Sequence, residues 1–184
     1  MMISRFPSKK IIFQWELTGI LFIFMFGSFF HFLFEMAGNW PPVALIAAVN
    51  ESVWEHLKLA FWPALLYALI ELPFLKDRTK NFWTAKAFGI LSMPIIIVSI
   101  FYGYTAFIGH HILWVDIALF GFSATSGQAI SCLLMIQQPF SSALKRVGTI
   151  ILIIMITAFS LLTYLPPKFP LFRESASGHY GLMK

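Results

Sequence analysis

Charge is what this sequence has least of. Only 11% of its 184 residues are Asp, Glu, Lys or Arg, against a hydrophobic share of 59% and a mean hydropathy of +0.79. Soluble domains are usually about a quarter charged, so too little polar side chain is present to cover a globule in water. Cysteine is nearly absent: the lone Cys132 lies in an apolar stretch, which excludes an intramolecular disulfide. There is no dense ligand motif of the HExxH kind, no evident internal repeat and no low-complexity segment. The formal charge of +5 would suggest nucleic acid in a soluble chain. Here most Lys and Arg residues fall in short loops, where they orient helices, so no nucleic-acid partner is expected.

What the chain has instead is long apolar runs. A hydrocarbon layer of roughly 30 Å needs about 20 mostly apolar residues per helix, and five such runs account for most of the chain. The expected fold class is all-α: an integral membrane helical bundle forming a single domain, with spans at 11–34, 51–75, 82–108, 112–136 and 147–164 and a tail at 165–184. The apolar run after the basic start carries Glu16 and His31 and lacks a small-residue cleavage site, which reads as an uncleaved signal anchor. Pro41-Pro42 suits a helix start, so residues 43–49 either form a short re-entrant piece within 41–50 or extend the second helix. Pro94 predicts a kink in the third.

Positive charge alternates between loops. Arg5, Lys9 and Lys10 precede the first span, Lys76, Arg78 and Lys80 follow the second, and Lys145 and Arg146 precede the fifth. Residues 36–42 and 109–111 contain neither Lys nor Arg. The positive-inside rule then places the N-terminus in the cytoplasm and the C-terminus outside, with only the tail residues Lys168, Arg173 and Lys184 against it. The chain is expected to cross a cell membrane several times, with membrane lipids as neighbours.

In that topology the ionisable groups collect on the outer side. His31 and Glu35 end the first span, and Asn50, Glu51, Ser52, Glu55, His56 and Lys58 open the second. His110 and His111 form the turn before the fourth span, Asp116 lies one turn into it, and Glu174 and His179 are in the tail. Helical spacing puts His31 and Glu35 on one face, and Glu51, Glu55 and Lys58 on another. Glu51 and Glu55 at i, i+4 would repel, which calls for Lys58, a proton or a bound cation between them. Charged residues near helix ends also snorkel to the interface without further role. That plainer reading is an alternative for Lys58 and Glu51, as a polar surface turn is for His110 and His111. For Glu16, Glu71 and Lys86 at the inner end the plain reading is preferred, as interface anchors or a salt-bridge cluster. A turn or more inside a span, Glu55 and His56 are costly and point to function.

Imidazole with carboxylate suits zinc or another first-row divalent ion. The candidate ligands are His31, His56, His110 and Asp116, with Glu55 in the same pool. The candidate catalytic groups are Glu51, Glu55 and Ser52, and Glu35, Asn50, Lys58 and His111 complete the polar cluster. Three functions stay open. One is a divalent-metal-dependent hydrolase acting at the outer leaflet, with Glu51 or Glu55 as general base. Another is a non-enzymatic accessory or assembly protein whose polar groups join helices. The third is a small proton- or ion-coupled transporter, working as a homo-oligomer, with a polar path inward through Tyr67 or Gln128 to Glu71 and Lys86. The tail, about twenty residues, reaches roughly 66–72 Å when extended. It could fold back over the site, capping it with Phe169, Leu171 and Phe172 and bringing Arg173 to a carboxylate.

Ser52 and His56 form an S-x-x-x-H pair that resembles one element of the multi-span zinc amidohydrolases typified by alkaline ceramidases. The H-x-x-x-H element of that family is missing, and the family is not assigned. A broader resemblance rests on NESVWEHLKL (50–59), HFLFE (31–35), YTAFIGHHILWVD (104–116) and PPKFPLFRESASGHYG (166–181). With these blocks the chain resembles, over nearly its whole length, an uncharacterised family of small multi-span membrane proteins found mainly in Gram-positive bacteria. The chain departs from that pattern at Glu174-Ser175-Ala176-Ser177 and at His111. The resemblance implies a membrane protein and points to the NESVWEHLK block, and it implies no reaction.

Overall fold

A computed structural model describes residues 9–174 and 177–182. Arg5, Ser175, Ala176 and Lys184 lie outside the described residues. Five helices follow one another: α1 (Lys9–Met36), α2 (Val53–Leu75), α3 (Phe82–Ile108), α4 (Leu113–Met135) and α5 (Ser142–Leu161). Each is long and apolar enough to cross a membrane, and no strand occurs among the described residues. Helix α1 packs on α2 and α4, and α3 packs on α2 and α4, so these four close a ring; α5 lies against α3. It also leans on α2 through the stacked rings of Phe159 with Trp54 and Phe61.

The outward surface is apolar in a way that water would not tolerate. Along α1 the exposed side chains are Phe13, Leu17, Leu21, Met25, Phe29, Phe32 and Met36, a stripe at helical spacing. A soluble monomer rarely leaves so long an apolar band uncovered, whereas a helix that crosses a hydrocarbon layer needs one. The protein is a multi-pass membrane protein.

Helix limits follow local chemistry. Ser52 accepts a hydrogen bond from the Glu55 amide and starts α2 at Val53, so Glu51 and Ser52 stand outside the helix expected to begin at 51. Ser141 caps α5 in the same way through the Leu144 amide, so that helix begins five residues before the expected 147 and ends at Leu161. Gly109, at φ +85°, takes the left-handed conformation that closes α3. Asn81 is buried and clamps the α4–α5 connection, donating to the carbonyls of Leu134, Gln137 and Gln138 and accepting from the Phe140 amide. That ties the turn after α4 to the start of α3.

Residues 41–50 are not an extension of α2. Pro41–Leu45 makes a short 3₁₀ helix, and Ala44, Ala47 and Ala48 are buried against the bundle. Lys58 of α2 reaches the carbonyl of Ala44 at 2.8 Å. The segment therefore dips to the level of a residue about 8 Å below the start of α2.

Helices α3 and α4 touch backbone to backbone where Gly89 meets Gly127. A Cβ on Gly89 would come within 2.6 Å of the Gly127 carbonyl and 2.9 Å of Ser131 Cβ. Small residues let membrane helices approach this closely. Gly89→Ala is expected to force the pair apart and cost about 1–3 kcal/mol, read as a lower unfolding temperature in detergent. An unchanged transition would mean that the crossing has room for a methyl group after all.

Candidate metal centre and its surroundings

Three polar groups share one end of the bundle. The first is the only group of three metal-type ligands found among the described residues: His31 of α1, Glu51 of the connecting loop and His56 of α2. Helices α1 and α2 are antiparallel neighbours, so a residue five before the end of one faces a residue three after the start of the other. Capping at Ser52 leaves Glu51 free to turn towards α1. The Glu51 carboxylate lies 3.7 Å from His31 Nε2 and 3.4 Å from His56 Nε2, and the two rings sit edge to face at 5.2 Å. One ligand atom from each residue falls within 4.8 Å of the others. The site is open, since the Glu51 side chain is 60% exposed while both imidazoles are about half as exposed. The neighbouring imidazoles of His31 and His56 hold the Glu51 carboxyl well below the usual carboxylate range, against a smaller opposing effect of burial.

The His56 ring is fixed by its other nitrogen. Nδ1 lies 2.9 Å from the carbonyl of Ser52, an acceptor, so Nδ1 carries the hydrogen. A neutral His56 then presents the lone pair of Nε2 to a carboxylate oxygen. Two acceptors face each other, and only a proton or a cation between them makes the contact favourable.

The second group is buried and closed. Lys58 Nζ lies 2.5 Å from Glu55 Oε2 and donates to Thr163 Oγ1 at 2.9 Å and to the Ala44 carbonyl at 2.8 Å. Thr163 donates to Glu55 Oε1 at 2.8 Å, and the Val49 amide reaches Glu55 Oε2 at 3.2 Å. Glu55, Lys58 and Thr163 are each at most 1% exposed. The expected repulsion between Glu51 and Glu55 does not arise, because Glu51 stands outside the helix and Glu55 has its own ammonium. The Ser52 hydroxyl, 1% exposed, is engaged in capping. The structure thus brings Glu51 to the histidines and leaves Glu55 and Ser52 in the packing beneath them.

The third group is at the α3–α4 turn. Asp116 accepts from the Tyr104 hydroxyl and lies 3.1 Å from His111 Nδ1, and Tyr104 in turn accepts from the Ile112 amide. His110 is exposed, with no hydrogen bond or ion pair from its side chain among the described residues, and the Glu35 side chain is the same. Neither His110 nor Asp116 joins the His31–Glu51–His56 group.

The tail folds back over this end. Phe172 is buried against Trp54, Leu171 packs beside it, and Leu182 reaches the cluster of Phe34, Ala44 and Ala47. Glu174 accepts from the Glu51 amide at 3.3 Å, and Asn50 donates to the Gly181 carbonyl at 2.9 Å. Phe169 stays 64% exposed, and Arg173 meets no carboxylate among the described residues; its backbone pairs with Tyr180 instead. Thr163 and Tyr104 are partners that sequence reasoning does not find, and Glu174, placed on this side by the sequence, is not foreseen as the acceptor of the Glu51 amide. A threonine at the end of an apolar run and a tyrosine within one carry no signal until the packing is known.

At the opposite end, Glu16 of α1, Glu71 of α2 and Lys86 of α3 are at most 2% exposed and ion-paired. They form a buried salt-bridge cluster rather than interface anchors. No curated protein and no solved structure matches the chain. A family model does match residues 4–182, nearly the whole length. The chain belongs to a family of unknown function, DUF6512.

Proposed function

We propose that His31, Glu51 and His56 hold a divalent metal ion, zinc by preference, in a membrane hydrolase that works at the outer face of a bacterial plasma membrane. The observation that carries this reading is the meeting of His56 Nε2 with the Glu51 carboxylate while Nδ1 is tied to a backbone carbonyl. Metal-bound histidines characteristically donate their other ring N–H to such an acceptor, which sets the tautomer and strengthens the ligand. Tetrahedral ligands at about 2.0–2.1 Å from zinc lie roughly 3.3 Å from one another. The observed separations of 3.7 Å to Glu51 Oε1 and 3.4 Å to Glu51 Oε2 are close to that value, and one ligand atom from each residue lies within 4.8 Å of the others, so closing on one ion takes a modest side-chain adjustment.

Three protein ligands and an exposed fourth side are the pattern of a catalytic rather than a closed structural site. Water at that position would ionise near neutrality and attack an ester or amide carbonyl presented at headgroup level. Glu51 as a ligand is not free to act as base, and Glu55 is fully paired, so in this reading the metal held by His31, Glu51 and His56 would have to supply the activation of water without a carboxylate base. The scarcity of Lys and Arg in residues 36–42 and 109–111 supports an outward site.

Complete pairing of Glu55 with Lys58, Thr163 and Val49 favours a second reading, an accessory protein whose polar groups only join helices. Elemental analysis of protein purified without chelators separates the two. A single divalent ion per chain is expected in the wild type and in His111→Ala. Loss is expected in His31→Ala, Glu51→Gln and His56→Ala, since removing a ligand outweighs the roughly 10–100-fold cost of removing its outer partner. Metal-loaded protein should then hydrolyse lipid or peptide model esters and amides in a chelator-sensitive manner. Wild-type protein that neither contains nor takes up a divalent ion would sink the hydrolase reading and leave the accessory one.

A further inference from the structure

The Glu16–Lys86–Glu71 triad has one positive group for two carboxylates. Lys86 Nζ lies 2.6 Å from Glu16 Oε1 and also touches Glu71. Ser131 donates to the same Glu16 oxygen at 3.3 Å. The second oxygen of each acid, Glu16 Oε2 and Glu71 Oε2, is buried with no partner among the described residues. Exposure is 2% for Glu16, 0% for Glu71 and 1% for Lys86. Counted from the helix ends, the acids lie roughly 6–10 Å inside the bundle.

With both carboxylates ionised the triad would carry an uncompensated negative charge among buried side chains. Such a charge costs several kcal/mol even after relaxation, and the interior does not supply the missing partner. The other titratable groups facing the triad are Tyr67 of α2 and Cys132 of α4. Tyr67 donates its hydroxyl hydrogen to the Trp15 carbonyl at 2.5 Å, with its ring under Lys86 at 5.9 Å. Gln128 and Ser131 of α4 are uncharged, and Gln128 donates to the Glu16 carbonyl. Among the described ion pairs, none joins Lys145 or Arg146 of α5 to the triad. No second cation from the described residues is at hand.

We propose that the triad is a proton-binding site, with one exchangeable proton shared by Glu16 and Glu71 beside the Lys86 ammonium. A proton fits the observations better than a metal cation. The carboxylate oxygens without a hydrogen-bond partner among the described residues, Glu16 Oε2 and the two of Glu71, are fewer than the roughly six to eight oxygens a calcium-like ion takes, and the ammonium already occupies the cation position between the acids. The site is separate from the His31–Glu51–His56 group: on α2 alone, Glu71 lies some 22 Å from His56. It gives the bundle a group through which a proton gradient can act, whatever chemistry occurs at the other end.

Infrared difference spectroscopy on the detergent-purified full chain tests this. The wild type at neutral pH should show a protonated-carboxyl C=O band that shifts in D2O and is the same in sodium and sodium-free buffer. Charge balance dictates how the variants behave. Either Glu16→Gln or Glu71→Gln alone should abolish the band, because the remaining acid and Lys86 then neutralise each other. Both variants should keep the wild-type unfolding temperature, since an amide reproduces the neutral acid. Should a variant fail to fold, the wild-type spectrum decides alone. No protonated-carboxyl band at neutral pH would overturn the proposal. So would a band that persists in both variants, or one that appears only when sodium is withdrawn.

Discussion

Lys58→Met should be among the most damaging single substitutions in this protein, lowering stability by about 3–5 kcal/mol. The methionine has nearly the volume of the lysine stem, so packing changes little. What is lost is the ammonium that Glu55, Thr163 and the Ala44 carbonyl all face. Glu55, 1% exposed, is left as an unpaired buried carboxylate, and the 41–50 segment loses its tie to α2. Removing both charges in Lys58→Met/Glu55→Leu should recover much of the loss, since replacing a whole buried ion pair by apolar groups is often near neutral. Unfolding followed by circular dichroism in detergent reads both variants. Equal losses in the single and the double variant would show that the cost lies in packing rather than in the orphaned charge.

Trp54→Ala carries the other large effect. The indole is 9% exposed and lies between two rings, Phe159 of α5 and Phe172 of the tail, each at 4.6 Å. Truncating a buried tryptophan usually costs about 3–5 kcal/mol through lost contacts and the cavity left behind. Here the loss has a direction. Trp54 links the first turn of α2 to the tail, so its removal should free residues 165–182 before the bundle melts. Limited proteolysis should cut the tail of Trp54→Ala far faster than that of the wild type, with Trp54→Phe close to wild type. Equal cleavage rates would mean that Asn50 and Glu174 hold the tail without the aromatic stack.

The membrane class, the number of helices and the crowding of ionisable groups at one end are all legible in the order of the residues. The reason is that a hydrocarbon layer imposes a length and an apolar composition on every segment that crosses it. The C-terminal limit of α2 and both limits of α3 match expectation because Lys76 and Lys80 stop the apolar runs and Gly109 ends the helix. The limits of α5 and the start of α2 do not. Both starts are set by a serine cap, whose effect depends on one hydrogen bond.

The candidate site divides differently. His31 and His56 stand out in the sequence as ionisable groups near helix ends, and Glu51 with Glu55 as a pair needing an explanation. Periodicity cannot settle which carboxylate belongs to the histidines. The i, i+4 rule holds only inside a helix, and Ser52 places Glu51 just outside it. Glu55 is claimed by Thr163, 108 residues away, and Glu51 is held by Glu174, 123 residues away.

The Glu16–Glu71–Lys86 triad shows the same division. That Glu16, Glu71 and Lys86 lie near one side follows from the spans, but their burial as two acids on one ammonium depends on which faces of α1, α2 and α3 turn inward. Solvation by lipid acts residue by residue along the chain, so residue order is enough to dictate five membrane helices with polar groups at their ends. Charge pairing is a matter of contact between distant segments. Folding in three dimensions therefore had to choose which charges are paired, which one is left exposed beside two imidazoles and which lack a partner.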